Sequence, residues 1–309
     1  AQDVGRPHAA IRMGSGMIAC VQAAATGATA EDVALAVPGS DDDDEEEEEE
    51  PEAEGWPLDK MRAALAASAG GSSKGARRCA VVVTTGAMNP VHRGHVQLLH
   101  QAAQELERHK IFVVGAWVSP SHDGYVQPKC RSLNTIGLSA DFRLEVARRS
   151  VSADSLVDVG SWEATYRGRW PDFPLVVERL QHAMGEIPEA DALRGPNGNV
   201  QVFYACGTDH AAKCHLYFGM RPQNDIGVVV VPRTGDSVRK ANPVKNVFVA
   251  QPAEGEVAAL SSTLVRTKLQ ERDFDAVSRA LSEDAARFLL QPTDEERARF
   301  CEDFAKLRV

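Results

Sequence analysis

Two histidines three residues apart, His92 and His95, end the stretch Thr85-Gly-Ala-Met-Asn-Pro-Val-His-Arg-Gly-His95. An imidazole can donate to a phosphate oxygen or titrate near neutrality. The stretch follows an apolar run, Cys79–Thr84, and leads into residues with helical spacing at Val96, Leu99, Ala103 and Leu106. A strand that feeds a glycine turn and then a helix start aims imidazoles, backbone N–H groups and the helix dipole at an anion. Gly86 permits a tight bend with backbone close to a ligand, and Asn89-Pro90 fixes the turn before the helix. Such a turn suits transfer at phosphorus, where two anions are held in line and charge on the equatorial oxygens is stabilised. The plainer alternative is a loop whose histidines cap a helix; turn, helix start and spacing together argue against it.

A second anion site is expected at Leu260-Ser-Ser-Thr-Leu-Val-Arg266. Ser261, Ser262 or Thr263 can cap the helix that runs into Lys268 and Leu269, leaving N–H groups free with Arg266 one turn in. Trp162 offers a flat face to a cationic ring, or it is a packed core residue. Asp209, after Gly207, can accept from ribose hydroxyls, or cap a helix. Lys129 and Arg233 either contact phosphate or are exposed without a role. Cys206, His210, Cys214 and His215 invite a zinc reading, but structural zinc sites prefer a close Cys pair and Cys206 ends a strand, so no metal ligands are expected.

The elements that position these residues alternate. Short apolar strands are expected at Ala80–Thr85, Ile111–Val118, Leu156–Val159, Val200–Cys206 and Gly227–Val231. Helices are expected at His95–His109, Leu138–Ser150 with Ser139 as cap, Pro174–Met184, Asp273–Leu290 and Thr293–Leu307, and Glu186–Asn199 reads as loop. The fold class is therefore α/β, a Rossmann-like doubly wound parallel sheet with flanking helices, and ligands bind at the carboxyl ends of its strands. Thr85–His95 follows the first of them.

The 309 residues, 43% of them hydrophobic, suffice for one sizeable core. The net charge of −10 is local: Asp41–Glu50 is ten acidic residues in a row, and without it the chain sums to zero. Residues 1–75 thus read as a low-complexity, acidic, largely disordered segment, with the catalytic domain at 76–309. The acid run is either a solvated tail or a site for a basic partner. No basic stripe implies nucleic acid, no apolar run approaches the roughly 20 residues of a membrane helix, and no secretory leader is expected. Six scattered cysteines without a CxxC pair imply a reduced, intracellular setting, cytoplasmic or nuclear, with an organelle left open.

The first turn resembles the HxGH signature of the nucleotidyltransferase superfamily. Together with the Ser-Ser-Thr-x-x-Arg segment it resembles the nicotinamide/nicotinate mononucleotide adenylyltransferase family. Val118-Ser-Pro-Ser-His-Asp-Gly-Tyr125 looks like that family's SPxxDxY loop, Gly160-Ser-Trp-Glu163 like its (D/S)WE segment, Cys206-Gly-Thr-Asp209 like its CGxD turn, and Val231-Pro-Arg-Thr-Gly235 like its V-x-R-x-G segment. Phe142-Arg143 aligns with the helix after the acceptor loop. The order and spacing agree over residues 80–290.

The resemblance implies transfer of AMP from ATP to a pyridine mononucleotide, with pyrophosphate released. It implies transfer chemistry at His92, His95 and Arg266, and ATP at Thr85, Gly86, Ala87, Gly94, Gly207, Asp209, Arg233, Ser262 and Thr263. It places the acceptor at Asn89, Ser119, Tyr125, Lys129, Trp162 and Glu163, with Mg²⁺ bound mainly through the nucleotide. It leaves a homo-oligomer open. His92 stands where the animal-type enzymes carry a Thr-like residue, and Tyr217-Phe218 stands in the region of a second acceptor aromatic. Two rivals remain: another transferase of the superfamily, such as pantetheine-phosphate adenylyltransferase, and a non-catalytic nucleotide-binding or chaperone-like protein.

Overall fold

The computed structural model describes residues 55–69, 78–252 and 255–308. All of them fall within one unit spanning 46–309; the acid run lies outside the described residues. Six strands form one sheet: β1 (Arg78–Gly86), β2 (Ile111–Pro120), β3 (Val157–Val159), β4 (Val202–Gly207), β5 (Ile226–Val231) and β6 (Val247–Val249). Their order is β3-β2-β1-β4-β5-β6, and every pairing is parallel. The chain therefore moves outward from β1 one way, then restarts at β4 and moves outward the other way. The reversal between β1 and β4 opens a crevice beyond their carboxyl ends. Connectivity alone thus places a site at Thr85–Gly86 and Cys206–Gly207. The three-residue β6 carries too little pattern to be read from sequence.

Strands covered on both faces need apolar side chains in both directions, and Ala80, Val81, Val82 and Val83 are each 0% exposed. Ala80 and Val82 join the larger core with Leu99 and Leu106 of α2 (Arg93–Arg108); Val81 and Val83 point to the opposite face. That core extends to the C-terminal helices. There Phe142, Phe288, Phe300 and Phe304 pack with ring centroids 5.2–5.7 Å apart. Such pairs contribute roughly 0.5–1.5 kcal/mol each beyond their buried area. The cluster anchors α4 (Ala140–Val151), which begins at the predicted cap: Ser139 Oγ accepts from Phe142 N at 3.3 Å, while Asp303 accepts from both Ser139 N and Oγ.

Several local expectations change. The folded unit starts before residue 76: α1 (Asp59–Ala69) packs on β2, and Trp56 and Met61 are buried. Its sequence is Ala-rich and weakly patterned, so only tertiary packing marks it. The Val118–Tyr125 loop already turns helical at α3 (Asp123–Ser132), with His122 accepting from Gly124 N. Asp273–Leu290 is two helices, α9 (Phe274–Ala280) and α10 (Glu283–Leu290), because Ser282 caps the second and donates to Arg149 O. Thr293–Leu307 is likewise divided, into α11 (Asp294–Arg299) and α12 (Cys301–Leu307), at Phe300, whose ring is needed in the aromatic cluster. Among the described residues no helix is long and apolar enough to cross a membrane.

Candidate active site

The helix α2 starts at Arg93, two residues earlier than expected, with His92 as its N-cap. His92 Nδ1 accepts from Gly94 N at 3.1 Å, and His92 N donates to His95 Nδ1 at 3.1 Å. The two histidines form a reciprocal capping box with ring centroids 3.9 Å apart, so they do cap the helix, the alternative against which turn, helix start and spacing argue. Both Nδ1 atoms are acceptors, so each neutral ring carries its proton on Nε2. Backbone hydrogen bonds thus choose the tautomer. A Cβ on Gly94 would lie 2.9 Å from the His92 ring, so only glycine lets that ring close onto the helix start. Burial, then the neighbouring ring and the Arg233 charge, lower His92 from 6.5 to about 2; burial and Arg233 take His95 to about 4. At neutral pH both are uncharged donors, and a bound phosphate would raise both values. Arg233 itself is exposed after β5, its turn closed by Asp236, which accepts from Arg233 N and Thr208 Oγ1.

The second segment docks directly on the first. Ser261 caps α8 (Ser262–Gln270) by accepting from Leu264 N at 3.1 Å. Ser262 Oγ donates to Pro90 O at 2.8 Å, and Arg266 donates to Asn89 O at 2.6 Å and Thr135 Oγ1 at 2.9 Å. Thr263 Oγ1 accepts from Arg266 at 3.2 Å and is otherwise exposed. Two chain segments more than 160 residues apart therefore meet as adjoining helix starts, whose N–H groups and dipoles favour an anion.

The residues expected at the acceptor are built differently. Glu163 is 4% exposed and accepts from Ser119 Oγ at 2.8 Å; Ser119 is fully buried. Burial raises the Glu163 carboxyl from 4.5 to about 7 despite Ser121, Ser119 and Arg143. Arg143, 0% exposed, donates to Leu138 O, Ala87 O and Ser121 O and pairs with Asp123 at 2.9 Å. It thus ties the first turn, the end of β2 and α3 to one guanidinium. Asn89 also faces inward: its amide donates to Ile136 O at 2.6 Å and Cys130 Sγ, and its oxygen accepts from Leu138 N. The polar atoms of Asn89 and Ser119, expected at the acceptor, are spent on holding the turn and Glu163. Trp162 opens the short helix α5 (Trp162–Thr165), is 6% exposed, and lies edge-on to Tyr166. The Arg179 guanidinium sits 6.0 Å from its ring centroid, so the ring already attracts a cation.

Tyr125 and Lys129 pair on α3, with Lys129 Nζ donating to Tyr125 OH at 3.1 Å. Gly207 and exposed Asp209 lie at the start of α7 (Thr208–Lys213), directly after β4. Thr85 Oγ1 lies 3.1 Å from Tyr204 OH, which lies 3.3 Å from His210 Nε2; this half-buried chain links β1, β4 and α7. His210 Nδ1 faces Cys214 Sγ at 4.0 Å, so both its nitrogens have partners without a metal. In the region of the second aromatic, Tyr217 is buried beneath Arg239 and Phe218 is 67% exposed. Sequence reading missed Tyr204 and Arg179, weighed His210 only as a metal ligand, and placed Arg143 only by alignment. A charged residue among the apolar positions of α4, beside Phe142, was the available signal for Arg143.

The chain is similar in part to several known proteins. The nicotinamide/nicotinic acid mononucleotide adenylyltransferase of Oryza sativa subsp. japonica is 29% identical over 176 residues, 55% of this chain and 66% of that protein. The Arabidopsis thaliana protein of the same name is 25% identical over 218 residues, 69% of this chain and 85% of that protein. A Plasmodium falciparum nicotinic acid mononucleotide adenylyltransferase, solved with NaAD, overlays 69% of this chain and 95% of its own at TM-score 0.46 and 10% identity. The cytidylyltransferase-like family model matches residues 83–268. That span runs from β1 to the middle of α8 and contains both histidines and Arg266, and the chain belongs to the cytidylyltransferase-like family.

Proposed function

We propose that this chain is an adenylyltransferase that joins ATP to nicotinamide or nicotinate mononucleotide, forming NAD or its deamido form and releasing pyrophosphate. The observation that carries the reading is the docking of α8 on the His92–His95 turn, which sets two helix starts, two neutral imidazoles and Arg266 around one crevice. In this reading the acceptor's phosphate oxygen attacks the α-phosphorus of ATP, and the bond to the bridging oxygen of pyrophosphate breaks. Nε2–H of His95, with His92 beside it, donates to the oxygens on which charge builds. Arg266 and the N–H groups at Ser262 and Thr263 hold the β- and γ-phosphates. Thr85, Gly86, Ala87, Gly94, Gly207, Asp209 and Arg233 line the ATP side, and Tyr125, Lys129, Trp162 and Glu163 the acceptor side. Among the described residues no group of three or more His, Cys, Asp or Glu is arranged to hold a metal. Mg²⁺ would be carried mainly by the triphosphate and water, screening its charge.

Pyrophosphate release with Mg²⁺–ATP tests the reading, using nicotinamide mononucleotide, nicotinate mononucleotide, phosphopantetheine or no acceptor. Release with the pyridine nucleotides alone is expected. Release with phosphopantetheine alone makes the chain a different transferase of the superfamily. No release from folded, ATP-binding protein makes it non-catalytic.

A further inference from the structure

The matched residues begin at 83, yet the turn that presents Trp162 and Glu163 is clamped by residues well before that point. Gly55 O accepts from Ser161 N at 2.8 Å, and a Cβ on Gly55, whose φ is +85°, would lie 2.7 Å from Trp162 N. Trp56, 2% exposed, covers the next residue back: a Cβ on Gly160 would lie 2.3 Å from its ring. The far side of Trp56 meets Trp117 edge-on at 6.1 Å, and Trp117 Nε1 donates to Pro57 O at 3.1 Å. Lys60 then fastens α1 to the other end of the same strand, donating to Val157 O at 2.6 Å and Val151 O at 2.9 Å. The Trp56 indole N–H is buried and has no partner among the described residues. Leaving such a group unpaired costs free energy, so the ring is held there by shape against Gly160 rather than by a hydrogen bond.

We propose that Gly55 and Trp56 are positioning residues for the acceptor: they lock the Gly160–Glu163 turn and so set the plane of the Trp162 ring and the place of the Glu163 carboxyl. Neither residue touches the phosphate side. The inference rests on the acceptor reading of Trp162 above. A ring plane displaced by an ångström loses stacking without disturbing ATP.

The test compares Trp56→Leu, Trp56→Phe and Gly160→Ala, the last pushing on the clamp from its other side. Steady-state kinetics give KM for each substrate, and hydrogen exchange without substrate gives the opening of the Ser161 amide. Trp56→Leu and Gly160→Ala should raise KM for the pyridine mononucleotide about tenfold or more, leave KM for ATP within about twofold, and speed exchange at Ser161. Trp56→Phe should recover most of both. KM values that rise together, or an unchanged KM for the mononucleotide despite faster exchange, would overturn the inference in favour of a purely structural role. Unchanged exchange at Ser161 overturns it whether or not the chain turns over. If the unmodified protein uses neither pyridine nucleotide, the proposed function fails, and exchange at Ser161 still decides the clamp.

Discussion

The side of the crevice proposed to hold the phosphates (the phosphate side) and the side proposed to hold the acceptor (the acceptor side) obey different rules. On the phosphate side, His95, Ser262 and Arg266 are half-buried, and their contacts run to backbone carbonyls and amides of two short segments and, from Arg266, to the hydroxyls of Thr135 and Thr263. On the acceptor side, Ser119, Ser121, Arg143 and Glu163 are almost wholly buried and satisfy one another across β2, α4 and α5. The first is a set of donors left for a ligand to complete. The second is a network already complete, in which Arg143 pairs with Asp123 and burial pushes the serine-bonded Glu163 toward its neutral form. Loss of a group should therefore cost activity on one side and stability on the other.

The sharpest way to break that contrast is His95→Ala. It should lower turnover by roughly 10²–10⁴-fold while shifting the melting temperature by no more than a few degrees, read by kinetics and calorimetry. A variant that unfolds instead would make His95 a structural residue. Arg143→Ala should do the reverse: three carbonyls and the half-exposed Asp123 carboxylate lose their donor, at about 3–5 kcal/mol, or roughly 6–20 °C in melting temperature.

The two sides also titrate in opposite senses. Glu163 has a folded value of about 7, above 4.5, so the folded state holds the extra proton and stability falls as pH rises from about 4.5 to 7. Glu163→Gln should remove that slope and stabilise the protein above pH 7, by on the order of 3 kcal/mol at most. The histidines, at about 2 and 4 against 6.5, take up protons more readily when unfolded, so their contribution is lost as pH falls below about 6.5. Melting curves of His95→Ala and Glu163→Gln from pH 4.5 to 8 separate the two slopes; parallel curves would contradict both assignments. The smallest effect is expected for Gly94→Ala, whose Cβ forces the His92 ring to move. A loss of about tenfold in kcat/KM with little change in stability would place that ring on the reaction path.

The phosphate side was legible because its information is contiguous. A capping box is a local device, so strand, turn, His92, Gly94, His95 and the Ser-Ser-Thr helix start can be found by reading along the chain. Ser139 as a cap was legible for the same reason. The acceptor side was not. That the Asn89 amide and Ser119 hydroxyl turn inward depends on Ile136–Leu138 and on Glu163, partners that periodicity does not reveal. The breaks at Ser282 and Phe300 were hidden too, because each is set by where a helix must pack rather than by a helix breaker.

By itself the sequence determined the alternation of buried strands with amphipathic helices, and hence a parallel sheet, and the residue types at the helix start that follows β1 and at the Ser-Ser-Thr helix start. These follow from period, propensity and local hydrogen bonding, which act over a few residues. Only the tertiary structure decided that α8 docks on the first turn, that Arg143 joins three loops, and that Gly55–Trp56 reaches back over Gly160. Those contacts join residues far apart in the chain. Their energy comes from burial and from pairing groups that water would otherwise satisfy, and neither exists until the chain has folded.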